Sequence, residues 1–194
     1  MHPHVQKKPV TALLTPLEYA KPSFTHMVIS TLVALGKARY VCSQNVDSLH
    51  LRSGVPRPAL AELHGNCFAE RCQACRSEYM RDFQVETIDF QPTGRRCVRP
   101  GCQGVLVDNL LDWESALPDD ELDASIEAAE RSGLCLVLGS SLQISPANEI
   151  PLNTRSKGGE LVIVNLQAEL DMAADIARCC TLPQQQGVVA GGAA

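Results

Sequence analysis

Apolar residues recur along this chain in two rhythms, one every three to four positions and one in short unbroken runs, with polar loops between them. From Ser23, placed to cap a helix, the residues Met27, Ile29, Leu32, Val33 and Leu35 mark a helix that stops near Gly36. A strand is expected over 39–42, running into the polar stretch Ser43-Gln44-Asn45-Val46-Asp47. Further on, an acidic helix is expected over 119–132, with Leu122, Ile126 and Ala129 on one face and Gly133 just past its end. The apolar run 134–138 then empties into Gly139-Ser140-Ser141, and Pro146 is placed to open a short helix. A Gly158-Gly159 turn precedes a strand over 161–164, which ends at Asn165-Leu166-Gln167. Strand, polar loop and helix in this repeated order predict a parallel α/β sheet covered on both faces. Such sheets bind ligands just outside the carboxyl ends of their strands, where these polar loops fall.

The segment 67–107 breaks the rhythm. It holds two cysteine pairs, several charges and a Pro92-Thr93-Gly94 turn, and reads as an insert with its own small fold. Residues 1–22, rich in Pro, Lys and Thr and without a period, read as a flexible lead-in. Residues 181–194 are low in complexity and read as a disordered tail. The α/β part is then expected in two pieces, 23–66 and 108–180.

Composition narrows the function classes. A net charge of -5 over 194 residues argues against generic nucleic-acid binding, which depends on dense Lys and Arg. The longest apolar run is far too short to span a bilayer, and Met1-His2-Pro3-His4 has no apolar core of the signal-peptide kind. An intracellular, reducing setting is expected, in which nine cysteines suggest metal binding before disulfides.

Two close pairs carry that metal chemistry. Cys72 and Cys75 have two residues between them, and Cys97 and Cys102 follow with four residues between them. Two knuckles that each offer two thiolates make a closed tetrahedral shell for zinc, which leaves no open position and is therefore structural. The competing reading is four unrelated reduced thiols. Cys42 and Cys135 lie in apolar strands as small core residues.

His64 alone is ambiguous between a structural hydrogen bond and a base, but it lies in Glu62-Leu63-His64-Gly65-Asn66, directly before the insert. Together with Ser43-Gln44-Asn45-Val46-Asp47, the cysteine quartet, Gly139-Ser140-Ser141-Leu142 and Val164-Asn165-Leu166-Gln167, this motif resembles the sirtuins, in the family's order. Thr25-His26-Met27, Leu49-His50-Leu51-Arg52-Ser53-Gly54 and Leu111-Asp112-Trp113-Glu114 look like the class IV branch, whose members are typically nuclear enzymes acting on histones.

The resemblance implies a Rossmann-like sheet with a zinc-binding insert, NAD as co-substrate and one structural zinc ion. It implies a protein-lysine deacylase that moves the acyl group to ADP-ribose and releases nicotinamide, with acylated proteins such as histone tails as partners. Neither specific nucleic-acid binding nor a membrane is expected, and the location implied is the nucleus, otherwise the cytoplasm. His64 would be the general base on the ribose hydroxyl. Gln44 would contact the ribose, while Asn45 and Asp47 would hold the nicotinamide amide. Gly139, Ser140 and Ser141 would approach the phosphates or ribose; Asn165, Leu166 and Gln167 would bind the adenosine ribose. Trp113 would border the acyl-lysine channel. Each has a plainer rival: Asn45 and Asp47 as turn caps, Ser140 and Ser141 as a helix-start turn, Trp113 as core packing.

The match also departs from the family. A Gly-Ala-Gly phosphate loop after the first strand and the following Asp-Phe-Arg segment are not found, so the expected sheet is incomplete and lacks its first strand. Ser48 stands where many relatives carry Gly. These departures raise an alternative: a shortened, catalytically inactive, zinc-containing interaction protein derived from a sirtuin. A zinc-ribbon nucleic-acid module would rest on the cysteines alone, and the acidic balance disfavours it.

Overall fold

The structure, a computed structural model, describes residues 16–112 and 114–166. The expectations for Trp113, Gln167, the tail over 181–194 and most of the lead-in therefore lie outside the described residues. The chain divides into two compact units, 1–128 and 129–194.

The first unit opens with helix α1 (Phe24–Ala34), capped as expected by Ser23, whose backbone N–H donates to Nδ1 of His26 at 3.2 Å. Strand β1 (Val41–Ser43) pairs in parallel with β2 (Leu60–Glu62), and the four-residue helix α2 (Leu49–Arg52) lies between them in sequence. The expected strand over 39–42 is thus displaced, because β1 extends only where β2 lies beside it. β2 itself has no periodic signature. It is three residues long, and all three are buried, Glu62 included.

The chain next turns into a four-stranded antiparallel sheet of order β4-β3-β6-β5, built from β3 (Gly65–Cys72), β4 (Glu78–Met80), β5 (Pro92–Arg96) and β6 (Val105–Leu110). This sheet contains the expected insert, but its two central strands begin at Gly65 and end at Leu110, beyond the limits 67–107 at both ends. Central strand β3 is buried at every position but Arg71, and Phe68, Ala69, Leu106 and Val107 are among the buried apolar residues of β3 and β6. Helix α3 (Asp119–Glu130) closes the unit, two residues shorter than expected. Its three acids in the first turn suit the positive end of the helix dipole.

In the second unit, β7 (Leu134–Leu138) pairs in parallel with β8 (Glu160–Val164) over five residues, with helix α4 (Ile150–Ser156) as the crossover. Thr154 of α4 is fully buried and donates its hydroxyl to the Ala129 carbonyl at 2.8 Å. The α/β class read from the sequence is present as two parallel pairs plus the cysteine-bearing sheet. No described helix is long and apolar enough to cross a membrane.

Candidate functional site

His64 sits between β2 and β3, on a stretch held from both sides. Leu63 N–H donates to the Ser43 carbonyl at 3.0 Å, and Leu111 N–H donates to the His64 carbonyl at 3.2 Å. Gly65 must be glycine: its φ is +82°, and a Cβ would overlap the Asn109 carbonyl oxygen and stand 2.7 Å from its carbon. The half-buried imidazole places Nδ1 3.0 Å from the Gln44 carbonyl oxygen. A carbonyl only accepts, so Nδ1 carries the proton and Nε2 keeps its lone pair. In its neutral form a ring held this way presents Nε2 as an acceptor.

The polar loop after β1 is fastened beside it. Asn45 N–H donates to Ser43 Oγ at 3.1 Å, which leaves the Asn45 side chain exposed. Cys67 of β3 holds the Val46 carbonyl twice, through its N–H at 2.9 Å and its thiol at 3.0 Å. Burial pushes that thiol up to about 11, so Cys67 is a structural donor and not a nucleophile. Asp47 Oδ1 accepts Leu49 N–H at 2.9 Å and so caps α2, the plainer role foreseen for it. Ser48, at φ +62°, makes the left-handed step between loop and helix, a conformation that glycine adopts more readily.

The four thiols of Cys72, Cys75, Cys97 and Cys102 all lie within 4.8 Å of one another. The Cys72–Cys102 and Cys75–Cys97 sulfur pairs are each 3.6 Å apart. Zinc–sulfur bonds of about 2.3 Å in a tetrahedron put sulfurs about 3.8 Å apart, whereas a disulfide needs about 2.05 Å. The spacing therefore fits zinc ligation and not crosslinking. Neighbouring groups favour two of the four thiolates, whereas at Cys102 a hydrogen bond from Gly104 is outweighed by burial and the surrounding thiols, which push it up. Ser77 hydrogen bonds draw Cys75 down to about 6, and the Tyr79 hydroxyl, 3.0 Å from Cys97 Sγ, lowers that thiol. Gly104 leaves room for the quartet: a Cβ there would overlap Cys72 Sγ and stand 2.8 Å from Ala74 Cβ.

In the second unit the two expected loops emerge side by side, because Leu138 is paired with Val164 and Gly139 N–H donates to the Val164 carbonyl at 2.8 Å. Gly139 takes φ +64°, a conformation that itself calls for glycine, and a Cβ there would meet nothing within 4 Å. Ser140 Oγ accepts Leu142 N–H at 3.2 Å, a local turn of the plainer kind foreseen, while Ser141 is exposed. Asn165 Oδ1 accepts Leu166 N–H at 2.9 Å, and Leu166 is fully exposed. These residues line the carboxyl ends of two adjacent parallel strands, the usual ligand position of such sheets.

Sequence reasoning left one group without a role. Glu62, Asn66, Arg57 and Glu121 form a mostly buried polar cluster around the His64 segment. Its only sequence signal was Glu62 and Asn66 flanking the histidine.

Comparison with known proteins adds to this geometry. The sequence profile of the Sir2 family matches residues 3–146. The chain is 51% identical over 161 residues to the NAD-dependent protein deacetylase SRT1 of Oryza sativa subsp. indica, covering 83% of this chain and 33% of that protein. It is 41% identical over 155 residues to the NAD-dependent protein deacetylase Sirt6 of Drosophila melanogaster, covering 76% of this chain and 49% of that one. A solved structure described as "Sir2 bound to acetylated peptide" superposes with a TM-score of 0.60 at 35% identity, covering 79% of this chain and 63% of the other. The chain thus spans a third to a half of the length of these two curated relatives.

Proposed function

Since the chain belongs to the Sir2 family, the sirtuins, we propose that it serves NAD-dependent removal of acyl groups from protein lysine, with His64 as the general base. The observation that carries this reading is the Nδ1 contact to the Gln44 carbonyl, which leaves Nε2 to take a proton. NAD would supply the ribose that receives the acyl group and the nicotinamide that leaves. The chain's own residues would do the rest. Gln44, Asn45 and Asp47 would face the nicotinamide ribose and amide, and Gly139, Ser140, Ser141, Asn165, Leu166 and Gln167 would take the phosphates and adenosine ribose. Trp113 would border the acyl-lysine channel. Cys72, Cys75, Cys97 and Cys102 would hold one structural zinc ion.

The class IV resemblance favours histone tails as substrates and the nucleus as location. A net charge of -5 suits such basic partners. The test is nicotinamide release from NAD by the zinc-loaded chain in the presence of an acetyl-lysine histone peptide. Release should depend on the peptide and vanish in His64→Ala; no release from folded, zinc-loaded protein would overturn the reading for this chain.

A second reading, a non-catalytic zinc-containing interaction protein, is favoured by one observation. Leu134, Leu136 and Leu138 of β7 and Val162 and Val164 of β8 are all 40% or more exposed. Calorimetry that gives a micromolar Kd for NAD would count against it.

A further inference from the structure

We propose that Glu121 is a positioning residue for His64, acting from the first turn of α3 through the backbone of β2. This rests on the reading of His64 as the base. Parallel pairing leaves alternate N–H groups of β2 on opposite edges. Leu63 N–H is spent on the Ser43 carbonyl of β1, so Glu62 N–H points to the other edge, where no strand pairs among the described residues. Glu121 Oε2 takes that N–H at 2.6 Å, 59 residues away in sequence. Its other oxygen binds Arg57, whose guanidinium also donates to the Leu60 carbonyl at 2.7 Å. The same guanidinium donates to Glu78 of β4 at 2.9 Å.

One carboxylate therefore fixes both ends of β2, directly at Glu62 and through Arg57 at Leu60. The far side of the His64 segment is closed by Asn66, whose Nδ2 donates to both Glu62 oxygens at 2.9 Å. His64 lies midway in this clamp, and its 3.0 Å bond to Gln44 holds only while β2 keeps its place beside β1. Glu121 touches neither the imidazole nor any expected ligand contact. Its effect is geometric.

The experiment is a long-range 15N–1H correlation spectrum of the zinc-loaded chain at about pH 8, where imidazole is neutral, with the His64 signals assigned by His64→Ala. The wild type should show the Nδ1–H tautomer alone. Glu121→Ala should show a mixture of tautomers while keeping its bound zinc, and Asp123→Ala, on the exposed face of the same helix, should match the wild type. Where turnover is measured, Glu121→Ala should lower kcat roughly ten- to hundred-fold with KM little changed. If Glu121→Ala does not fold, Glu121→Met, which fills the same space with no acceptor oxygen, is read in the same way. A single Nδ1–H tautomer in the folded Glu121 variant would overturn the proposal. Nicotinamide release that survives His64→Ala would instead remove the reading of His64 as the base, and would leave the spectral result standing.

Discussion

Replacing Gly65 by alanine tests whether the backbone around His64 is as tightly determined as its contacts imply. The new Cβ would overlap the Asn109 carbonyl oxygen and lie 2.7 Å from its carbon, where ordinary carbon–oxygen contacts are about 3.3 Å or more. Both obstacles are backbone of β6, so no side chain can swing aside. β3 and β6 must part at the Gly65–Leu110 pair, and the Leu111-to-His64 hydrogen bond goes with it. Two lost hydrogen bonds at about 1 kcal/mol each, plus about 1–2 kcal/mol for a side chain at φ +82°, give a destabilisation of about 3–4 kcal/mol. With a urea slope of about 2 kcal/mol/M, the unfolding midpoint of the zinc-loaded chain should fall by about 1.5–2 M. Far-UV circular dichroism reads it directly. Gly133→Ala, where a Cβ meets nothing within 4 Å, is the control and should move the midpoint by about 0.2 M or less. A Gly65→Ala midpoint as close to wild type as that control would refute the reasoning.

Gly104→Ala should crowd Cys72 and weaken zinc retention by about ten-fold or more in a chromophoric-chelator competition, while Gly133→Ala retains zinc like the wild type. Ser48→Gly should stabilise the chain by about 0.5–1 kcal/mol, because it removes a left-handed serine at φ +62°; a lowered urea midpoint would contradict this. Burial raises the Glu62 carboxyl from 4.5 to about 7, so between those values the folded chain keeps a proton that the unfolded chain has released. Stability from this group is then greatest at the acidic end and falls as pH rises through 7, by up to about 3 kcal/mol in all. The stability difference between wild type and Glu62→Gln should carry that slope, and a pH-independent difference would show that Glu62 ionises freely.

What could be read from the sequence divides by the range over which each signal acts. The cysteine quartet was legible because each knuckle sets two ligands by local spacing, and the folded chain needs only to bring two knuckles together. The 134–138 run and its polar exit were legible for the same reason: a strand and the loop after it are neighbours in sequence. β2 was not. Leu60, Ala61 and Glu62 show neither alternation nor a long apolar run, and a buried carboxylate at Glu62 makes sense only beside Asn66, Arg57 and Glu121. Glu121 itself stands in the acidic helix outside the apolar face of Leu122, Ile126 and Ala129, yet it is 9% exposed. Asp47 and Ser140 each show the plainer of the two roles foreseen, a side chain engaged in a local turn.

The sulfur quartet has a practical side. With two sulfur pairs only 3.6 Å apart, a chain stripped of its ion holds two ready-made couples that need close by little more than 1.5 Å to oxidise. Chelator and air together would then lock the knuckles shut against reloading, so that a preparation handled without reductant ages into a form that added zinc no longer rescues.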